Sequence, residues 1–279
     1  MKFVKMHGAG NDYVYVDCFR QTIEDPENLA REISDRNFGV GGDGLILIEP
    51  SKKADVKMRM FNADGSEAEM CGNGIRCVAK YAFDHGLVDR TEIKVETGAG
   101  VLPLTMYPNK HEHIDKVRVN MGPPRLTRAD LPMVGVANEK VINMELEILD
   151  RTFEITCVSM GNPHCVIYVD DVENFPAKRY GYAIENHELF PQRINVEFVE
   201  VISPNEVRQR TWERGAGETL ACGTGSSAVT VAGVLTGRTK GKLLNHLTGG
   251  DLEMEWDGKN EVFMTGPAVE VFSGEYVPR

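Results

Sequence analysis

Two cysteines, Cys71 and Cys222, stand 151 residues apart in one local setting. Each directly precedes Gly-x-Gly and a run that reads as helix, in "EMCGNGIRC" (Glu69 to Cys77) and "LACGTGSSA" (Leu220 to Ala228). A helix start offers unpaired N–H groups and a partial positive charge, which lower a thiol's proton affinity and raise its reactivity. The glycines leave those amides open to a ligand, and a carboxylate is the natural guest. Two such thiols on opposite faces of a small carboxylate-bearing molecule could invert a carbon: one removes its proton and the other returns another. The amides would hold the charge that develops on the carboxylate. Each sulfur would serve as base in one direction and acid in the other, so its pKa should lie near the working pH. This chemistry needs no pyridoxal lysine.

Other readings of the same residues stand beside it. Cys18, Cys77, Cys157 and Cys165 lie in apolar periodic runs and read as packing residues. No Cys-x-x-Cys pair occurs, so no zinc site is expected. A Cys71–Cys222 disulfide would be an oxidised, inactive form of the same pair, and a thiol redox role is a further alternative. "GTGSSA" (Gly223 to Ala228) fits G-x-G-x-x-A, but it lacks a clear preceding strand and an acid about 20 residues on. Neither glycine segment carries the Lys-Ser/Thr of a phosphate loop.

The chain that must position these thiols has 279 residues, 42% hydrophobic and 26% charged, which suits a globular protein of two ordinary domains. A net charge of −11 argues against nucleic acid as a partner. The N-terminal "MKFVKMHGAGND" has no apolar run long enough for a signal peptide or membrane span. The expectation is a cytoplasmic protein that acts on a small molecule, with neither membrane nor nucleic acid as partner.

Landmarks recur in order at offsets of 151 to 154: Glu67 with Glu218, Asn62 with Glu213, "YVYVD" with "VIYVD", and "LILIEP" with "FVEVISP". They point to an internal duplication. Within each half, alternating β-branched and aromatic runs between Gly, Pro, Asn and Asp read as strands: Tyr13–Asp17, Leu45–Glu49, Lys57–Asn62, Glu92–Glu96, Lys116–Asn120, Phe153–Val158, Val166–Val169 and Asn195–Val201. "DPENLAREISDR" reads as helix with Asp25 as N-cap and Pro26 at its first position. After Cys71, residues Ile75, Val78, Ala79, Ala82 and Phe83 predict one apolar helix face, closed by Gly86. After Cys222 the run is uncharged through Gly237, as in a helix buried all round. The predicted fold is α/β (α+β), with two pseudo-symmetric domains, each a β-barrel-like sheet around a central helix, and an active site in the cleft between them. The boundary falls at "MGPPR", giving domains 1–121 and 122–264, and the segment 265–279 can return to the first.

Several of these segments also resemble one family. "NADGSEAEMCGNGIR" (Asn62 to Arg76) and "ERGAGETLACGTGSSA" (Glu213 to Ala228) resemble the two active-site segments of diaminopimelate epimerases. "KMHGAGNDYV", "GVGGDG" and "GNPH" resemble further landmarks of that family, in the same order. Proline racemase relatives share the fold but typically carry His where this chain has Asn73. The resemblance implies a pyridoxal-independent, cofactor-free isomerase interconverting LL- and meso-diaminopimelate in lysine and peptidoglycan-precursor synthesis, and it admits a homodimer. It implies that Cys71 and Cys222 are the acid/base thiols, with Cys71 deprotonating the LL isomer. Amides of Gly72, Asn73, Gly223 and Thr224 would hold the reacting carboxylate. Asn11, Asn62, Asn162, Asn195, Glu213 and Arg214 would bind the unchanging centre, with Arg214 forked onto the distal carboxylate. His164 and Glu213 would tune the thiols. One departure is Gly44, where several family members carry Gln.

Overall fold

The computed structural model describes residues 1–277. The chain divides into two compact units, Met1–Val119 with Thr265–Arg279, and Asn120–Met264. Residues 278 and 279, the end of the segment expected to return, lie outside the described residues.

The first unit runs β1 (Lys2–Gly8), β2 (Asn11–Asp17), α1 (Pro26–Ser34), β3 (Gly44–Glu49), β4 (Val56–Asn62), β5 (Glu67–Ala68), α2 (Gly72–Asp84), β6 (Glu92–Thr97), β7 (Gly100–Pro108) and β8 (Ile114–Asn120). The strands pair β1–β2–β3–β4–β6–β7–β8, antiparallel except for the parallel pairs β2–β3 and β4–β6. Helix α2 packs against β1, β2, β4, β6 and β7, so the sheet curves round it. Helix α1 packs against β2, β3 and β4, and begins as the sequence predicts, with Asp25 accepting the N–H of Asn28. Between them the strands bury Val14, Leu45, Leu47 and Phe61 with Ile33 of α1.

The second unit runs β9 (Met144–Ile148), β10 (Arg151–Ser159), β11 (Pro163–Tyr168), α3 (Ala177–Glu185), β12 (Asn195–Ser203), β13 (Glu206–Glu213), β14 (Gly217–Thr219), α4 (Gly223–Leu235), β15 (Lys242–Leu247) and β16 (Gly250–Glu255). Its strands pair β9–β10–β11–β12–β13–β15–β16, again with two parallel pairs, β11–β12 and β13–β15. Helix α4 packs against β10, β11, β12, β15 and β16. Tyr180 of α3 stacks on Phe175 and meets Phe153 edge-on in the core, where Phe175 also packs against Phe198. After β17 (Phe263–Pro267), β18 (Val269–Glu275) pairs with β1.

The duplication is preserved to the residue. Val14 opposes Leu45 as Cys165 opposes Val196, and Met60 opposes Ala68 as Thr211 opposes Thr219, each pair displaced by 151 positions. Arg59 grips Glu67 through Nε (2.8 Å) and Nη2 (3.0 Å), and Arg210 grips Glu218 the same way (2.6 and 3.0 Å). The sheet-dominated α+β architecture with an inner helix is the one expected.

Two local readings differ. Helix α2 is buried on every side from Asn73 to Ala82, not on one face, because the sheet wraps it; the charges of Arg76 and Lys80 are satisfied inside by carbonyl and carboxylate oxygens. Helix α3 gave no sequence signal, since Gly181 interrupts it. That glycine is required because a Cβ there would stand 2.6 Å from the indole of Trp212. No helix among the described residues is long and apolar enough to cross a membrane.

Candidate active site

Cys71 and Cys222 are the N-caps of α2 and α4, two helices of 13 residues each. Both have extended backbones (φ −134°, ψ 120° and φ −128°, ψ 111°), the conformation an N-cap needs to turn its side chain onto the first helical turn. Each sulfur accepts the N–H three residues on, from Gly74 at 3.4 Å and from Gly225 at 3.3 Å. A thiol thus sits where Ser, Thr or Asp usually cap, among amides that point out of the helix start. The glycines are packing requirements as well. A Cβ on Gly74 would meet Ile46 Cδ1 at 2.7 Å, and one on Gly225 would meet Glu197 Oε1 at 2.7 Å.

In the first unit a polar chain leads to Cys71. Its S–H donates to Asn11 Oδ1 (3.3 Å), and Asn11 Nδ2 donates to Asp43 (2.7 Å). Arg36 then bridges Asp43 (2.9 Å) and Asp12 (2.7 Å), and Lys5 pairs with Asp12 (2.6 Å). Burial would raise the Asp12 carboxyl, but Arg36 and Lys5 hold it below its ordinary value. The Tyr13 hydroxyl is pushed up by burial and by Cys71, and so stays neutral beside the sulfur. Asn73 turns its side chain inward to accept from the fully buried Arg76 (2.9 Å), which also donates to Gly72 O and Pro267 O (both 3.1 Å). Asn62 ends β4 and donates to Ser66 Oγ (3.0 Å). Gly44 opposes Asn62, and a Cβ there would overlap the Phe61 carbonyl oxygen, so the chain admits no Gln without moving β4.

In the second unit the neighbourhood of Cys222 is charged. His164 is fully buried, its Nδ1 2.8 Å from Glu197 Oε1 and its Nε2 3.0 Å from Asn162 Oδ1. Atoms of His164, Glu197 and Cys222 lie within 4.8 Å of one another. Such a trio has the donor types a thiophilic cation takes, but both ring nitrogens are already engaged. Thr224 Oγ1 lies 3.4 Å from the Cys222 sulfur, and Glu213 accepts from Thr219 at 2.5 Å. Asn195 is tied at both ends to backbone, donating to Pro163 O (2.9 Å) and accepting from Arg214 N (2.9 Å). The Arg214 guanidinium is exposed and donates to Gln192 O (3.0 Å).

Burial, then Glu213 and then Glu197, push the Cys222 thiol well above its ordinary value; the hydrogen bonds from Thr224 and Gly225 act the other way. The sequence-based expectation of a thiol lowered by its helix start is therefore reversed at this position. Desolvation in the closed interior outweighs a cap of one N–H.

Asn11 with Cys71, and Asn162, His164, Glu213 and Thr224 with Cys222, are thus brought together within their units. Four neighbours were not foreseen: Tyr13, Asp43, Arg76 and Glu197. Glu197 was legible in principle, as an acid in the strand "NVEFVEV" at the position that the offset of 151 assigns to Ile46.

Residues 3–127 and 156–271 match the family model described as diaminopimelate epimerase. The chain is 55% identical to a diaminopimelate epimerase of Agathobacter rectalis, with 99% of each chain covered. It is 54% identical to one of Acetivibrio thermocellus, covering 99% of this chain and 98% of that one. Among solved structures, a phenazine biosynthesis protein of the PhzF family from Bacillus anthracis superposes with TM-score 0.71 at 19% identity, covering 100% of this chain and 99% of that one. A probable proline racemase from Agrobacterium radiobacter superposes with TM-score 0.70 at 16% identity, covering 99% and 92%. These two share the fold.

Proposed function

Since this chain belongs to the diaminopimelate epimerase family, and so to the isomerases, we propose that it interconverts LL-2,6-diaminopimelate and meso-2,6-diaminopimelate by proton transfer between two thiols. The observation that carries this reading is the repeated cap: a cysteine sulfur at the start of a buried helix, in each unit, with glycine at the first and third helical positions.

In the proposed reaction one thiolate takes the proton from the α-carbon, forming S–H and leaving the electron pair on an enolate-like carboxylate. Amide N–H groups of Gly72, Asn73, Gly223 and Thr224 hold that charge as it develops. The other thiol gives its proton to the opposite face of the carbon, so configuration inverts and the two sulfurs exchange protonation states. The high proton affinity of Cys222 suits it to be the donor in the resting protein, which leaves Cys71 to remove the proton of the LL isomer. No step passes through pyridoxal or a metal.

Asn11, Asn62, Asn162, Asn195, Glu213 and Arg214 are proposed to receive the second amino-acid centre. Arg214 supports this because its guanidinium is exposed and, among the described residues, donates to one carbonyl, so a carboxylate can displace that contact. Asn195 would act indirectly, by pinning the Arg214 backbone. A role in lysine and peptidoglycan-precursor synthesis, a cytoplasmic location and a homodimer rest on the family resemblance. The test is incubation of reduced protein with the LL isomer, followed by chiral separation. Appearance of the meso form supports the reading, and its absence with folded, reduced protein refutes it.

A further inference from the structure

Glu197 has no part in the reaction as drawn, yet its placement is costly. It is fully buried on β12 between Val196 and Phe198. Oε1 is 2.8 Å from His164 Nδ1, and Oε2 has no hydrogen-bond partner among the described residues. A carboxylate removed from water is unfavourable unless its oxygens are satisfied, and here half of it is not. The fold itself does not ask for it. In the first unit the same position, beneath the third helical residue, is held by Ile46, which packs under Gly74 at the distance Glu197 keeps from Gly225.

We propose that Glu197 is a positioning residue of the two-thiol reaction, which orients the His164 ring against Cys222 and sets which thiol carries the proton in the resting protein. This inference rests on the epimerase reading above. The geometry supports it in two ways. The ring is clamped, with Glu197 on one nitrogen and Asn162 on the other, so it cannot rotate away from the sulfur. The groups facing Cys222 also differ in charge from those at the corresponding places in the first unit. Cys222 has His164 on β11, Glu197 on β12 and Glu213 on β13. The corresponding places near Cys71 hold Tyr13, Ile46 and Asn62, with no carboxylate, and Arg76 is buried in the helix where α4 has Ser227. A negative charge beside a thiol keeps its proton on. At Cys222 burial, Glu213 and Glu197 all act in that direction, and Glu197 is the fully buried one of the two acids.

The experiment is Glu197→Gln, which keeps the shape and removes the charge. Iodoacetamide labelling of Cys222, read by peptide mass mapping between about pH 7 and 11, should show its midpoint lowered by about one pH unit. An unchanged or raised midpoint overturns the inference. Turnover in the same variant should lose about 100-fold in kcat with KM within about twofold, and the His164→Gln/Glu197→Gln double variant should be no slower than the slower single one. Multiplying losses would mean that Glu197 does not act through His164. If Glu197→Gln does not fold, Glu197→Ile copies the first unit and should fold; its Cys222 midpoint is then read in the same way. Labelling needs no substrate, so a failure of the epimerase reading would show as absent turnover in the wild-type protein while the midpoint still moves.

Discussion

Ile46 and Glu197 occupy one place in two copies of the same fold. Each lies on the strand that pairs in parallel with the one before it in its unit, β3 with β2 and β12 with β11, 151 positions apart, with its tip 2.7 Å from where a Cβ would stand on Gly74 or Gly225. One is apolar and the other is an acid against His164. The duplication kept the cap, the glycines and the Arg–Glu grip, and diverged in the charges around the sulfur. That is the pattern expected if both halves supply the same kind of atom but in opposite protonation states.

Replacing either sulfur should stop the reaction without unfolding the chain. Cys71→Ala and Cys222→Ala are each expected to lose at least about 1,000-fold in kcat, with circular dichroism and melting close to wild type. Each sulfur makes one cap contact to an N–H, so the structural cost is that of a weak cap. Turnover near the wild-type rate in either variant would rule out paired roles.

Cys222 should resist alkylation at neutral pH. Its proton affinity is raised above the ordinary thiol value of 9.0 by burial, Glu213 and Glu197. The thiolate is the nucleophile, so the labelling rate of Cys222 should climb only above about pH 9. Rapid labelling of Cys222 at pH 7 would contradict a raised proton affinity at this sulfur.

Gly225→Ala should impair activity more than stability suggests. The added Cβ would meet Glu197 Oε1 at 2.7 Å and Cys222 Cβ at 3.2 Å, so it displaces both the acid and the cap. Gly181→Ala meets the Trp212 indole instead, at 2.6 Å, in the apolar core against α3, and touches neither Glu197 nor Cys222. Overpacking of this kind costs about 1–3 kcal/mol, so both variants should melt lower. At a temperature where each is folded, Gly181→Ala should retain turnover and Gly225→Ala should not. Equal activities would separate the glycine from the site.

Alkaline solution should loosen the fold. Burial pushes Cys77 up to about 11, and Cys222 is raised too. A raised group adds stability that is whole below its unfolded value, here near 9.0, and is lost as pH rises through the folded one. The guanidinium midpoint should therefore hold up to about pH 9 and fall between 9 and 11. A midpoint as high at pH 10.5 as at pH 8 would contradict this.

Much of this was readable from residue order because the signals were local or repeated. Asp25-Pro26 marks a helix start by its own hydrogen bond, and the Cys-Gly-x-Gly pairs are visible through the offset of 151. The clamp on His164 was not, because it joins β11 to β12 across 33 residues and depends on which strand face turns inward. Helix α3 was missed for a related reason: Gly181 looks like a breaker until Trp212, 31 residues on, is seen to lie against it. The wrap of sheet around α2 likewise turned an apparently one-sided helix into a core element.

The central claim is that a proton leaves and returns at the α-carbon through these sulfurs. It is tested most directly by incubating the reduced protein with either diaminopimelate stereoisomer in heavy water and following the α-position by mass spectrometry. Solvent deuterium should enter that carbon as configuration inverts, and entry should cease in Cys71→Ala and in Cys222→Ala. Inversion without deuterium, or deuterium entry that survives loss of both sulfurs, would contradict the account.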